Sequence, residues 1–113
     1  MGAARTRVRY ATIFVFPAPA KGKPVRVSAA PETLSVRAGD TVDWTVVNAT
    51  GADSPGRVSI KWKDKNPVKG EPKDFDRAAR VTVRDDVKPN KRYRYSIVID
   101  GVEVFDPEIE IMG

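Results

Sequence analysis

The chain contains neither cysteine nor histidine. Without cysteine there can be no disulfide, iron–sulfur cluster, thiolate zinc site or cysteine nucleophile. Without histidine the commonest ligand for zinc and copper is missing, and so is the usual general base near neutral pH. The only remaining soft donors are the thioethers of Met1 and Met112. No cofactor, copper or zinc binding is therefore expected. Long apolar runs are also missing: no stretch approaches the roughly 20 residues of a transmembrane helix. Near the N-terminus, Arg5, Arg7 and Arg9 followed by Ala18-Pro19-Ala20 imitate a secretory signal. The apolar part between them, Ala11 to Phe16, is shorter than an h-region and runs into Pro17, so it reads as a strand. A cytoplasmic location is the default expectation.

Helical periodicity of useful length is absent too, and short alternating runs take its place. The length of 113 residues fits one domain spanning 1–113, large enough to bury about two thirds of its unfolded surface. Nine Pro and eight Gly fall mostly between apolar runs, which suits strands joined by turns. Arg7 to Phe16 begins by setting Val8 and Tyr10 against Arg7 and Arg9, and ends apolar on both faces. Val25 and Val27, then Leu34 and Val36, are the inward residues of two short strands. Ala38-Gly39-Asp40 is a tight turn. Thr41 to Asn48 is the clearest strand, with Val42, Trp44 and Val46 on one face. Asn48 to Gly56 is turn chemistry throughout.

Further along, Val58, Ile60 and Trp62 alternate with Ser59, Lys61 and Lys63. Asp64 to Arg77 has the least pattern, and Phe75 is its one large apolar anchor. Ala79, Val81 and Val83 form another inward face. Asp85 to Lys91 reads as a loop. Tyr93, Tyr95, Ile97 and Ile99 form a strong inward face, followed by the turn Asp100-Gly101, a strand from Val102 to Phe105, and a last strand from Glu108 to Ile111. Eight or nine strands with turns at roughly 8–12-residue intervals predict an all-β Greek-key sandwich.

Two stretches carry a resemblance. Pro31 to Asn48 reads PETLSVRAGDTVDWTVVN, a strand, a Gly-Asp turn and a strand bearing an inward aromatic. It resembles the opening half of cupredoxins, the blue-copper Greek-key sandwiches. Asn90 to Ile99 looks like their penultimate strand, and Ile109 and Ile111 look like their last. The resemblance spans about the last 90 residues and implies a cupredoxin-like fold, with an immunoglobulin-like sandwich as the alternative. It also implies a copper Cys near Ile97, a His close to Asp100 and an earlier His near Arg57 or Val58; none is present. The implied domain is a copper-free version of an electron carrier, and fold then says little about function.

Weighed one by one, the chemical constellations favour surface and core roles. The carboxylate pairs Asp74/Asp76 and Asp85/Asp86 stand in polar loops beside Lys73, Arg77 and Arg84. Without His a Ser–Lys pair is the remaining route to serine catalysis, but Ser54, in a loop, and Ser59 and Ser96, expected on outer strand faces, have no supporting motif. The sequon Asn48-Ala49-Thr50 has meaning only in a secreted protein. Trp44 and Trp62 sit on apolar faces and read as core. The positive signal is charge, +5 overall with pI 9.7. Lys61, Lys63 and Lys65 alternate and run into a loop holding Lys69 and Lys73, while Arg92 and Arg94 form a second outer row. Glu108 and Glu110 are placed to neutralise that second row across strands. The expectation is a non-enzymatic binding or accessory domain that acts through contacts with another protein. A basic-patch binder of nucleic acid or another polyanion is the alternative, and a copper-free relic of an electron-transfer cupredoxin is the third.

Overall fold

The computed structural model describes residues 7–113, so Arg5 of the signal-like N-terminus lies outside them. None of the described residues is helical. The elements are β1 (Val8–Phe16), β2 (Arg26–Ala30), β3 (Thr33–Val36), β4 (Thr41–Asn48), β5 (Val58–Trp62), β6 (Val68–Lys69), β7 (Ala78–Val83), β8 (Arg92–Ile99), β9 (Val102–Phe105) and β10 (Glu108–Ile111). They form two sheets. One runs β2-β1-β4-β7-β6; the other runs β3-β10-β8-β5, with β9 also paired to β8. Both sheets are mixed, because β1 pairs parallel with β4 and β3 parallel with β10. The architecture is an all-β sandwich, as the alternating runs predict.

Alternation decides which residues fill the space between the sheets. Ile13 and Val15 of β1, Val42 and Trp44 of β4, Ile60 of β5, Tyr95 and Ile97 of β8 and Ile109 of β10 are buried in one core. Three rings join the layers. Trp44 of one sheet meets Tyr95 of the other edge-on at 5.7 Å, and Trp62 packs on Tyr95 at 5.1 Å. The Trp44 Nε1–H donates to the Tyr95 hydroxyl at 3.1 Å. Burial pushes that phenol up to about 12, against the smaller downward pull of the Trp44 N–H.

Three details depart from the sequence expectation. The opening alternation of β1 marks its outer face: Val8 and Tyr10 are 37% and 59% exposed, while Ala11, Ile13 and Val15 are buried. With a period of two, burying Ala11, Ile13 and Val15 carries Val8 and Tyr10 outward together with Phe14 and Phe16, so the apolar far end of the strand is covered on one face and leaves Phe16 40% exposed on the other. Ser96, expected on an outer face, is fully buried and donates to Asp106 at 2.9 Å. The extra strand β6 lies inside the stretch with the least pattern, where Val68 is also a core residue.

The turns follow local chemistry. Asp100 and Gly101 both have positive φ, 49° and 84°, as a tight two-residue hairpin between right-twisted strands requires. At the β3–β4 turn Gly39 takes φ 84°. The adjacent Asp40 carboxylate is buried and accepts from the Arg37 N–H at 2.9 Å, the Arg7 N–H at 3.1 Å and Arg9 Nε at 3.3 Å. It thus ties the end of β3 to the starts of β1 and β4. Burial alone would raise its pKa, but the two backbone donors and the Arg9 guanidinium outweigh that and hold it below 3.8. A depressed carboxylate contributes stability that is present above its unfolded pKa and lost as pH falls through the folded one. Asp40→Asn should therefore be less stable than wild type by about 1–2 kcal/mol at pH 7, and the gap should close below pH 3.8. Urea midpoints at both pH values check this; a gap that does not change with pH refutes it.

Candidate anion-binding groove

The two basic rows lie on neighbouring strands, because β5 pairs antiparallel with β8 and Lys61 stands opposite Ser96. Their charges meet different fates. On the outer face β10 brings Glu108 opposite Arg94 and Glu110 opposite Arg92. Arg92 bridges both carboxylates, at 3.2 Å to Glu108 and 3.5 Å to Glu110. Lys63 pairs with Asp106 at 3.4 Å, Lys69 with Asp85 at 3.8 Å and Lys73 with Glu71 at 3.8 Å. Among the described residues Lys61, Lys65 and Arg94 make no ion pair. The expected neutralisation thus holds for Arg92 alone of its row.

At one end of the sandwich the chain builds a groove of two joined lobes. One lobe, of about 390 Å³, is lined by Lys65, Asn66, Arg84, Asp86, Val87, Lys88, Lys91 and Tyr93. The other, of about 470 Å³, adds Asp64, Arg92, Arg94 and Glu108. Lys65, Lys91 and Tyr93 line both. Six basic side chains thus face three carboxylates. Two of those acids are already engaged, Asp86 by Arg84 at 3.2 Å and Glu108 by Arg92. Lys65, Lys88 and Lys91 are exposed and make no ion pair among the described residues. The groove has a polarity: Arg94 also borders a hollow holding Glu32, Asp106 and Glu108, so its far end turns acidic.

Backbone bonds hold these side chains in place. Asn90 takes φ 63° in the β7–β8 loop, a conformation asparagine tolerates better than most residues. Its N–H donates to the Ile111 carbonyl, and the Ile111 N–H donates to Lys91, both at 2.8 Å. These bonds tie the Lys88–Lys91 wall to β10. In the β5–β6 connection the Asn66 side chain accepts from the Val68 N–H at 2.8 Å and donates to the Gly70 carbonyl at 2.9 Å, fixing the turn beside Lys65. Tyr93 sits at the start of β8, where its ring packs against the core and the remaining surface lines both lobes.

Of the residues singled out by sequence, the groove gathers Lys65, Arg92 and Arg94 and leaves out Lys61, Lys63, Lys69 and Lys73. It adds Arg84, Lys88 and Lys91, which sequence reasoning missed. The run Lys88-Pro89-Asn90-Lys91-Arg92-Tyr93-Arg94 carried the signal, a basic cluster around an aromatic, but its first half looked like an ordinary turn.

Asp74, Asp76, Asp85 and Asp86 are exposed. Among the described residues no three carboxylates cluster as a metal site, and no helix is long and apolar enough to cross a membrane. A second surface stands apart on the outer face of β1 and β4. Phe14 and Phe16 stack at 6.4 Å, and Phe16 and Val47 are each 40% exposed. No protein-family model matches the chain, and no curated protein is similar to it.

Proposed function

We propose that this protein is a non-enzymatic, metal-free binding domain and that its groove takes an anionic chain. The observation that carries this reading is the set of three unpaired lysines, Lys65, Lys88 and Lys91, converging from two loops on one concave surface. Fixed cations around a concavity bind repeated negative charge by releasing counterions, which makes the affinity salt-dependent. The cupredoxin-like relation belongs to the same proposal in its copper-free form. Val58 and Ile97, where copper ligands would be expected, are both fully buried apolar residues. That arrangement supports a role through surface contacts.

The test is retention on a heparin column under a salt gradient. The variant Lys65→Gln/Lys88→Gln/Lys91→Gln should elute well before wild type. The charge-matched variant Lys21→Gln/Lys23→Gln/Lys73→Gln, altered outside the groove, should elute close to wild type. Identical elution of the two variants would mean that only net charge matters, and would sink the groove reading. Contact with a protein would then rest on Phe14, Phe16 and Val47, the exposed apolar row that favours that second reading.

A further inference from the structure

Resting on that reading, we infer that the anionic chain is a single-stranded nucleic acid with a base stacked at Tyr93. A strand offers two things in alternation, a phosphate and a flat apolar ring. The groove offers two matching things. Its lysines come from two segments of the chain, Lys65 from the β5–β6 connection and Lys88 and Lys91 from the β7–β8 loop. Tyr93 and Val87 line the same concavity, and Tyr93 lines the second lobe as well. Tyr93 is braced by the core behind it, so a ring meeting it would lose little additional side-chain entropy. Base–aromatic stacking beside a cationic track is the usual physics of single-strand binding, and it tolerates any sequence because every base has a π-face.

Other anions fit less well. An acidic peptide would satisfy the lysines but has no recurrent planar group for the Tyr93 wall. Duplex DNA is read by convex elements that enter its grooves, whereas this surface is concave. The two lobes share Lys65, Lys91 and Tyr93, so a flexible strand in contact with Tyr93 has cations on hand from either lobe.

Fluorescence anisotropy with labelled probes of equal charge tests the inference. The probes are oligothymidylate of about 12 nucleotides, the matching abasic deoxyribose-phosphate strand, and polyglutamate. Wild type should prefer oligothymidylate to the abasic strand by about 5- to 150-fold, the range of one stacked base. Tyr93→Leu should erase that preference, and Tyr93→Phe should preserve it. The abasic comparison needs no variant, so it stands even if Tyr93→Leu is unstable. Equal affinity for the thymidylate and abasic strands would overturn the stacking inference and leave the anionic groove intact. A preference for polyglutamate would overturn it in favour of an acidic protein segment. Failure to bind all three probes would remove the proposed function itself.

Discussion

Trp44→Ala is expected to cost about 3–5 kcal/mol, the range for deleting a large buried aromatic. Domains of this kind have about 5–15 kcal/mol in total, so the variant should lose a large part of its stability. Trp44 is fully buried and contacts both rings supplied by the opposite sheet. Truncation opens a cavity between the layers and takes away the N–H bonded to the Tyr95 hydroxyl. The urea midpoint should fall by roughly 2 M, given a slope of about 2 kcal/mol per molar. Val47→Ala on the same strand removes a side chain that is 40% exposed, and should shift stability by no more than about 0.5 kcal/mol. Equal midpoints for Trp44→Ala and wild type would refute the packing described for β4.

That residue also shows what the sequence makes legible. The run Val42, Trp44, Val46 announces an inward face through its period of two. The same rule locates Leu34 and Val36, Ile60 and Trp62, Ile97 and Ile109, all buried. It does not locate the partners. That Trp44 donates to Tyr95, 51 residues away, follows from how the sheets stack, and no local pattern carries that information. The groove is illegible for a similar reason. Counted loop by loop, the charges of Asp64 to Arg77 nearly cancel. Folding separates them: Lys69 goes to Asp85, Lys73 stays with Glu71, and Lys65 joins Lys88 and Lys91 from another loop. Arg92 illustrates the converse, since cross-strand pairing with Glu108 and Glu110 was readable from alternation once β8 and β10 were taken as neighbours. In β1 a count of apolar residues does not identify the inner face, since Val8, Tyr10, Phe14 and Phe16 lie outward while the smaller set Ala11, Ile13 and Val15 is buried.

Excising the β5–β7 connection, with a tight turn in place of residues 65–74, is expected to destabilise the fold by about 3–5 kcal/mol. A long patternless loop would ordinarily be cheap to shorten, since halving a loop returns only about 0.6 kcal/mol of closure entropy. This one is tied down on two sides. Val68 is fully buried, and β6 pairs with the edge of β7. The Arg84 N–H donates to the Pro67 carbonyl at 2.8 Å. Across the molecule, the Ile60 N–H donates to Pro72 at 2.9 Å, and Val58 and Phe75 exchange bonds of 2.8 and 3.0 Å. The connection thus covers the free edge of β5 while its middle extends the other sheet. Losing Val68 from the core costs about 1.5–3 kcal/mol, and each lost backbone bond about 0.5–1.5 kcal/mol; together they exceed the entropy returned. An uncovered β5 would also expose an unpaired strand edge, so the shortened protein should self-associate. Denaturant unfolding and light scattering on wild type and the shortened chain provide the check. Val68→Ala separates the two contributions: it should cost part of the stability and leave the protein monodisperse, because the β5 edge stays covered. A shortened protein with wild-type midpoint and no association would show that the connection is a tolerated insertion.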